Sequence, residues 1–173
     1  MKDHYNLLFV CTGNAGRSII AEALANQLSK GRLRAYSAGS QPKGEVNADA
    51  IAVLQSAGFS TDGLRSKSWE EFSAADAPKM DLIITVCDRA ANEPCPIWPG
   101  HPTTAHWSVP DPSVVADSSQ PGSSEKIQAA YQDVMKLLSQ RITLLLSLKL
   151  EALDQLTAST RLRESGLSAH AGS

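Results

Sequence analysis

Tyr5-Asn6-Leu7-Leu8-Phe9-Val10-Cys11-Thr12-Gly13-Asn14-Ala15-Gly16-Arg17-Ser18 changes character twice within a short span. The run 7–10 is continuously apolar, without polar alternation, which suits a strand covered on both faces of a parallel sheet. A polar turn with two glycines follows. From Arg17 onward apolar side chains return at helical spacing (Ile20, Ala23, Leu24, Leu28), which predicts a helix over 17–29 stopped by Gly31. Strand, tight turn and helix together form the opening unit of an α/β fold.

The rest of the chain repeats this alternation. Residues 33–38 read as a second strand closed by Gly39, and 41–44 as a loop. Asn47 is placed to cap a helix through Ala50, Ile51, Val53 and Leu54 that ends near Gly58. A short helix is expected from Ser68, a third buried strand over 81–86 and a weaker fourth over 103–109. Loop formers crowd 92–102 and 110–124. An amphipathic helix over 125–148 then puts Ile127, Ala130, Tyr131, Val134, Leu137, Leu138 and Ile142 on one face. Met80 and Met135 read as core, and Trp98 as partly exposed. The fold class predicted is α/β: one domain over 1–150, with a four-stranded, mainly parallel sheet flanked by helices. The tail 151–173 reads as a helical or partly disordered extension with no assigned role.

That order of elements concentrates the chemistry. In open parallel sheets ligands sit at the carboxyl ends of the strands. Cys11 follows the first strand, Cys87 the third and Asp111 the fourth, so residues a hundred positions apart reach one sheet edge.

Composition narrows the partners. A chain of 173 residues with 42% hydrophobic and 20% charged residues suits an ordinary globular core. A net charge of −2 leaves no basic field to draw a nucleic acid or an anionic membrane. The late apolar stretch 142–150 is too short for a bilayer and is broken by Thr143, Ser147 and Lys149. No leader-type segment is read before the first strand. The expectation is a soluble, cytoplasmic monomer. Three cysteines are an odd number, against a secreted disulfide scaffold, and their spacings, 76 and then 8 residues, are not those of a zinc pair. His101 and His106 complete no known metal spacing, so neither a metal nor a tightly bound cofactor is expected.

The turn 11–18 is built for an anion. Gly13 and Gly16 let the backbone curl, and Asn14 tolerates a left-handed conformation. Curled amides from Thr12 to Gly16, with the N-terminus of the following helix, present positive ends to one point. Arg17 adds a planar fork that matches a tetrahedral oxyanion, and Ser18 a hydroxyl. A thiol in that field is expected to have a pKa of roughly 3.5–7.5, making Cys11 a nucleophile beside a bound oxyanion. A lone cysteine at a strand end is commonly buried and inert. The combination of strand, Cys-x5-Arg-Ser, two glycines and helix is what carries the functional reading.

Cys11-Thr-Gly-Asn-Ala-Gly-Arg-Ser18 with Ala21-Glu22-Ala23, then Ser37-Ala38-Gly39 and Asp111-Pro112, resembles the low-molecular-weight protein tyrosine phosphatase superfamily. The likeness runs from about residue 7 to residue 145 and implies that Asp111 is the general acid. Thr85-Val86-Cys87-Asp88-Arg89-Ala90-Ala91-Asn92-Glu93-Pro94-Cys95-Pro96-Ile97-Trp98-Pro99-Gly100 resembles the redox segment of the arsenate reductases built on that scaffold, as does His106-Trp107. Phosphatases of the fold usually place aromatic residues after the Asp-Pro pair. Here Ser113, Val114 and Val115 follow.

The resemblance implies a thiol relay. Cys11 attacks arsenate held by the loop and Arg17, and Asp111 protonates the departing oxygen. Cys87 then attacks Cys11, and arsenite leaves. Cys95 attacks Cys87, and an external thiol system, thioredoxin or glutathione with glutaredoxin, resets the enzyme. The segment after Cys87 is expected to start as a helical turn and loop out on a proline-rich hinge over 94–102. If Cys95 is only a loop thiol, glutathione with glutaredoxin finishes the cycle. His106 is expected to be structural. Some relatives hold potassium through Asn, Glu, Ser and Asp. Asn14, Glu22 and Ser37 match the first three, but the fourth falls at Trp69 or Glu70, so no potassium site is expected. Ala15 stands where many relatives have Ser, and Ser108 where Gly is common. The alternatives are a phosphatase hydrolysing phosphate monoesters and a non-enzymatic redox or oxyanion-binding partner.

Overall fold

A computed structural model describes residues 4–93, 98, 102–114 and 121–148. Cys95, most of the predicted hinge and the 151–173 extension lie outside the described residues. Four strands, β1 (Tyr5–Val10), β2 (Leu33–Ala38), β3 (Leu82–Thr85) and β4 (Thr103–His106), form one sheet in the order β2-β1-β3-β4. Every pairing is parallel. Leu7, Leu8 and Phe9 are fully buried and Val10 nearly so, as their unbroken apolar run requires of the central strand.

Helices α1 (Arg17–Leu28), α2 (Ala48–Ser56), α3 (Asp88–Ala91) and α4 (Ser123–Ser147) flank the sheet. Helix α1 lies against β1 and β2 and packs on both α2 and α4. Ile19, Ile20 and Leu24 of α1 are fully buried, as are Leu138 and Ile142 of α4. Asn47 caps α2 as expected, its side chain accepting from the N–H groups of Asp49 (2.7 Å) and Ala50 (3.4 Å). The short helix expected from Ser68 is a 3-10 turn, Trp69–Phe72, capped by the Ser68 hydroxyl.

Three boundaries differ from expectation, each for a local reason. Helix α1 ends through two successive left-handed residues, Lys30 (φ 51°) and Gly31 (φ 90°), so the reversal starts one residue before the glycine. Helix α4 starts at Ser123, because Gly122 (φ 79°) turns the chain into it. Strand β4 stops at His106. One further ladder bond, Trp107 N–H to the Thr85 carbonyl (2.8 Å), follows, and Pro110 has no N–H to continue the ladder. Trp98 is buried, at 8% exposure, with its ring edge-on to Trp69 at 6.2 Å. This overturns the expected partial exposure: the indole is covered by its contact with Trp69.

The strand order sets the position of everything functional. The chain leaves β1 toward β2 on one side and later places β3 on the other. The boundary between β1 and β3 is therefore the topological switch point, where such sheets open a crevice at the strand ends. Val10 and Thr85 are register partners there, and the next residues along the two strands lead to Cys11 and Cys87.

Candidate active site

The loop after β1 is held by its carbonyls. Those of Thr12, Gly13 and Ala15 accept from the N–H groups of Gln41 (2.9 Å), Lys43 (3.0 Å) and Asn47 (2.9 Å). With the oxygens tied to the 41–47 segment, the amides are left for the cavity. The Gly13 N–H points at the Cys11 sulfur. Among the described residues, the N–H groups of Asn14, Ala15, Gly16 and Arg17 meet no protein acceptor. Asn14 adopts the left-handed conformation expected of it, at φ 45°. Its amide donates to the Ser18 hydroxyl at 2.8 Å, so Ser18 braces the loop. Helix α1 has no side-chain cap at Gly16, so its first-turn N–H groups and positive dipole end also face the site.

Gly39 is needed for a reason the sequence did not reveal. A Cβ there would lie 2.5 Å from the Thr12 carbonyl oxygen and 2.8 Å from that of Cys11. Only a glycine lets the end of β2 lie this close to the nucleophile loop.

Arg17 crosses the mouth of the loop. Its Nη1 donates to the Val109 carbonyl at 2.8 Å, and its Nη2 lies 3.7 Å from the Asp111 carboxylate. These contacts bring the end of the β4 segment over the loop. Asp111 is thus beside the predicted anion-binding guanidinium, with its side chain 40% exposed.

Cys11 and Cys87 are both buried, and their thiols lie near enough to act on one another's ionisation. Cys87 is the N-cap of α3, and its sulfur accepts from the Ala90 N–H (3.4 Å) and the Thr12 N–H (3.3 Å), with the Thr12 hydroxyl at 3.6 Å. The hydrogen bond from Cys11, followed by those from Thr12 and Ala90, brings the Cys87 thiol down to about 5. The Cys11 thiol is pushed well up, first by donating to Cys87 and then by burial, against the pull of Arg17 and the Gly13 amide. The two thiols are coupled, so the ionisation of one opposes that of the other. Cys11 thus feels two opposed influences: its electropositive loop and Arg17 favour the thiolate, as expected, while burial and the nearby Cys87 sulfur oppose it when no oxyanion is bound.

An ultraviolet titration of thiolate absorbance on the reduced, anion-free protein should therefore show a step with a midpoint near pH 5 that Cys87→Ala removes. The thiolate exists above that midpoint and is lost as pH falls through it. Cys11→Ala deletes the largest stabilising contact and should move the midpoint upward. A midpoint unchanged by Cys11→Ala would contradict the coupling.

Two further groups fix this corner. His106 links Thr85 and Asp88, with Nδ1 2.7 Å from the Thr85 hydroxyl and Nε2 2.8 Å from the Asp88 carboxylate. His106 and Ser108 hold Asp88 below the usual carboxylate range. The structural role expected for His106 is what this chain of contacts provides. Glu93 was missed. Its carboxylate accepts from the Thr12 hydroxyl and the Ser40 hydroxyl, each at 2.7 Å, joining the end of the α3 segment to the nucleophile loop. The available signal was a lone carboxylate in the otherwise neutral stretch 90–98.

The loop, both thiols, Asp111, Lys43 and Tyr131 line one cavity of about 690 Å³. Tyr131 was read only as core. Burial and the nearby Asp49 and Asp111 charges push its phenol up to about 12, so it stays protonated and able to donate. Beneath the loop, Asn14, Glu22 and Ser37 do come together, and the residue facing Glu22 is Lys67, which the sequence reading did not consider.

A parallel sheet delivers a buried thiol into a ring of free amides under an arginine, the arrangement of a candidate cysteine-based oxyanion site. The chain belongs to the low molecular weight phosphotyrosine protein phosphatase family, which it matches over residues 6–159. It is 30% identical over 136 residues to an arsenate reductase of Bacillus subtilis, covering 79% of this chain and 91% of the relative. Among solved structures it resembles an arsenate reductase from Archaeoglobus fulgidus (25% identity, TM-score 0.62, covering 82% of this chain and 99% of the other). It shares its fold equally with the tyrosine phosphatase Wzb from Escherichia coli K30 (24% identity, TM-score 0.63, covering 85% and 98%).

Proposed function

We propose that the protein reduces arsenate to arsenite with Cys11 as nucleophile and Cys87 as the thiol that resolves the adduct. The observation that carries this reading is the presence of two buried free thiols, Cys11 and Cys87, lining one cavity at the floor of the oxyanion loop, with the Thr12 N–H of that loop donating to the Cys87 sulfur. Hydrolysis needs one activated sulfur and a water; a second free thiol beside the first is what a two-electron reduction needs. The arsenate reductase relatives point the same way.

The arsenate dianion binds to the loop amides and Arg17 and takes the Cys11 proton as it arrives. The Cys11 thiolate attacks arsenic, an As–O bond breaks, and the oxygen leaves as water with a proton from Asp111. The Cys87 thiolate then attacks the Cys11 sulfur. An S–S bond forms, the S–As bond breaks, and its electron pair reduces arsenic from +5 to +3. Cys95 exchanges with Cys87 to free Cys11. An external dithiol or glutathione, delivered by thioredoxin or glutaredoxin, returns the electrons. This chemistry fits a reducing compartment such as the cytoplasm. No described helix is long and apolar enough to cross a membrane.

The test is mass spectrometry of the three thiols after one round with arsenate and no reductant. A Cys87–Cys95 disulfide with free Cys11 and one equivalent of arsenite is expected. Unchanged thiols with released phosphate from an aryl ester would instead assign a phosphatase.

A further inference from the structure

Lys67 is a buried lysine, its side chain only 7% exposed, and the steps above leave it unused. Its ammonium donates to the Arg65 carbonyl at 2.9 Å and lies 3.6 Å from the Glu22 carboxylate, itself 14% exposed. Glu22 also accepts from the Ser37 hydroxyl at 2.6 Å. Arg65, the other nearby cation, is taken by Glu71 in a two-pronged pair at 2.6 and 3.1 Å. Lys67 is thus the charge that compensates Glu22. Burial pushes the Glu22 carboxyl up and the Lys67 ammonium down, so each ion depends on the other.

The Lys67 backbone contacts the oxyanion loop directly. Its N–H donates to the Asn14 side-chain oxygen at 2.9 Å, and its carbonyl accepts from the Gly39 N–H at 2.9 Å. The neighbouring Ser66 hydroxyl donates to the Gly13 carbonyl at 3.2 Å. Residues 65–68 therefore form the floor that keeps Asn14 left-handed, while Glu22 belongs to the helix that the loop opens. We propose that Lys67 is a positioning residue for oxyanion binding: its ammonium serves as a tethered internal cation that ties this floor to α1 and so keeps the loop amides aimed at the ligand. The inference rests on the oxyanion-site reading but not on reduction, because the same loop shape serves either chemistry.

Calorimetric titration with inorganic phosphate tests it. Lys67→Met keeps the stem and removes the charge, and should weaken phosphate binding by about tenfold, equivalent to roughly 1.4 kcal/mol. In Lys67→Ala, added methylammonium should recover affinity, whereas tetramethylammonium at the same ionic strength should not, since it cannot enter the space vacated. A folded Lys67→Met with unaltered affinity, or equal responses to the two ammonium ions, would overturn the proposal. Should Lys67→Met not fold, Glu22→Gln/Lys67→Met removes both charges at once. Weaker phosphate binding in that variant supports the role, and full affinity defeats it. Loss of arsenate turnover with these binding results intact would count against reduction alone.

Discussion

Replacing Cys87 by Ser is expected to stop arsenate turnover while sparing the first half-reaction. A serine at the head of α3 can still accept from Thr12 and Ala90, so the local fold should persist. It cannot make a disulfide, so the Cys11–arsenic adduct has no partner to resolve it. Removing the Cys87 thiolate also removes the largest influence that raises the Cys11 pKa. Cys11 should then ionise at lower pH, and slow hydrolysis of an aryl phosphate should be maintained or increased. Steady-state arsenite production, aryl phosphate hydrolysis and the mass of the arsenate-treated protein together read this out. Arsenite formation at the unsubstituted rate would remove the case for a relay.

Arg17→Lys should lower kcat/KM for arsenate by roughly 10²–10³-fold, the loss typical of deleting one preorganised donor at a developing oxyanion. The charge survives the change; the fork does not. One guanidinium nitrogen of Arg17 is held by the Val109 carbonyl and another faces Asp111, so the plane of the group is fixed before any ligand arrives. A lysine presents a single, strongly hydrated point that cannot hold the β4 segment and grip an oxyanion in the same way. Phosphate affinity should fall with turnover, and thermal stability should change little. A loss of only a few-fold would mean that the loop amides alone suffice.

The sheet and the loop were legible because their determinants are local. An unbroken apolar run gave β1, helical spacing gave α1 and α4, and Asn47 was recognised as a cap from residue type and position. The order of strands then put Cys11, Cys87 and Asp111 on one edge without any contact being known. What stayed hidden depends on distant partners. Gly39 reads as an ordinary strand terminator until the Thr12 carbonyl is found against it. Lys67 reads as a surface lysine until Glu22 is seen across from it. Glu93 and Tyr131 have the same history, one concealed in a segment expected to unwind and the other on a helix face counted as core. For Cys11 the field of its own loop is visible in the sequence, whereas the opposing influence of a sulfur from another strand is not.

The placement of the crevice between β1 and β3 has a consequence for how such proteins diversify. On the proposed reading the loop amides and Arg17, which hold the anion, are all encoded before residue 20, and the Val109 carbonyl only steadies Arg17. The second sulfur, by contrast, belongs with its capping donor Ala90 to the stretch that begins at β3. If the proposed relay holds, substrate recognition and the source of electrons are written on separate stretches of gene. A lineage could exchange water for a thiol, or one reductant for another, by editing the later stretch while its grip on tetrahedral anions was inherited unchanged.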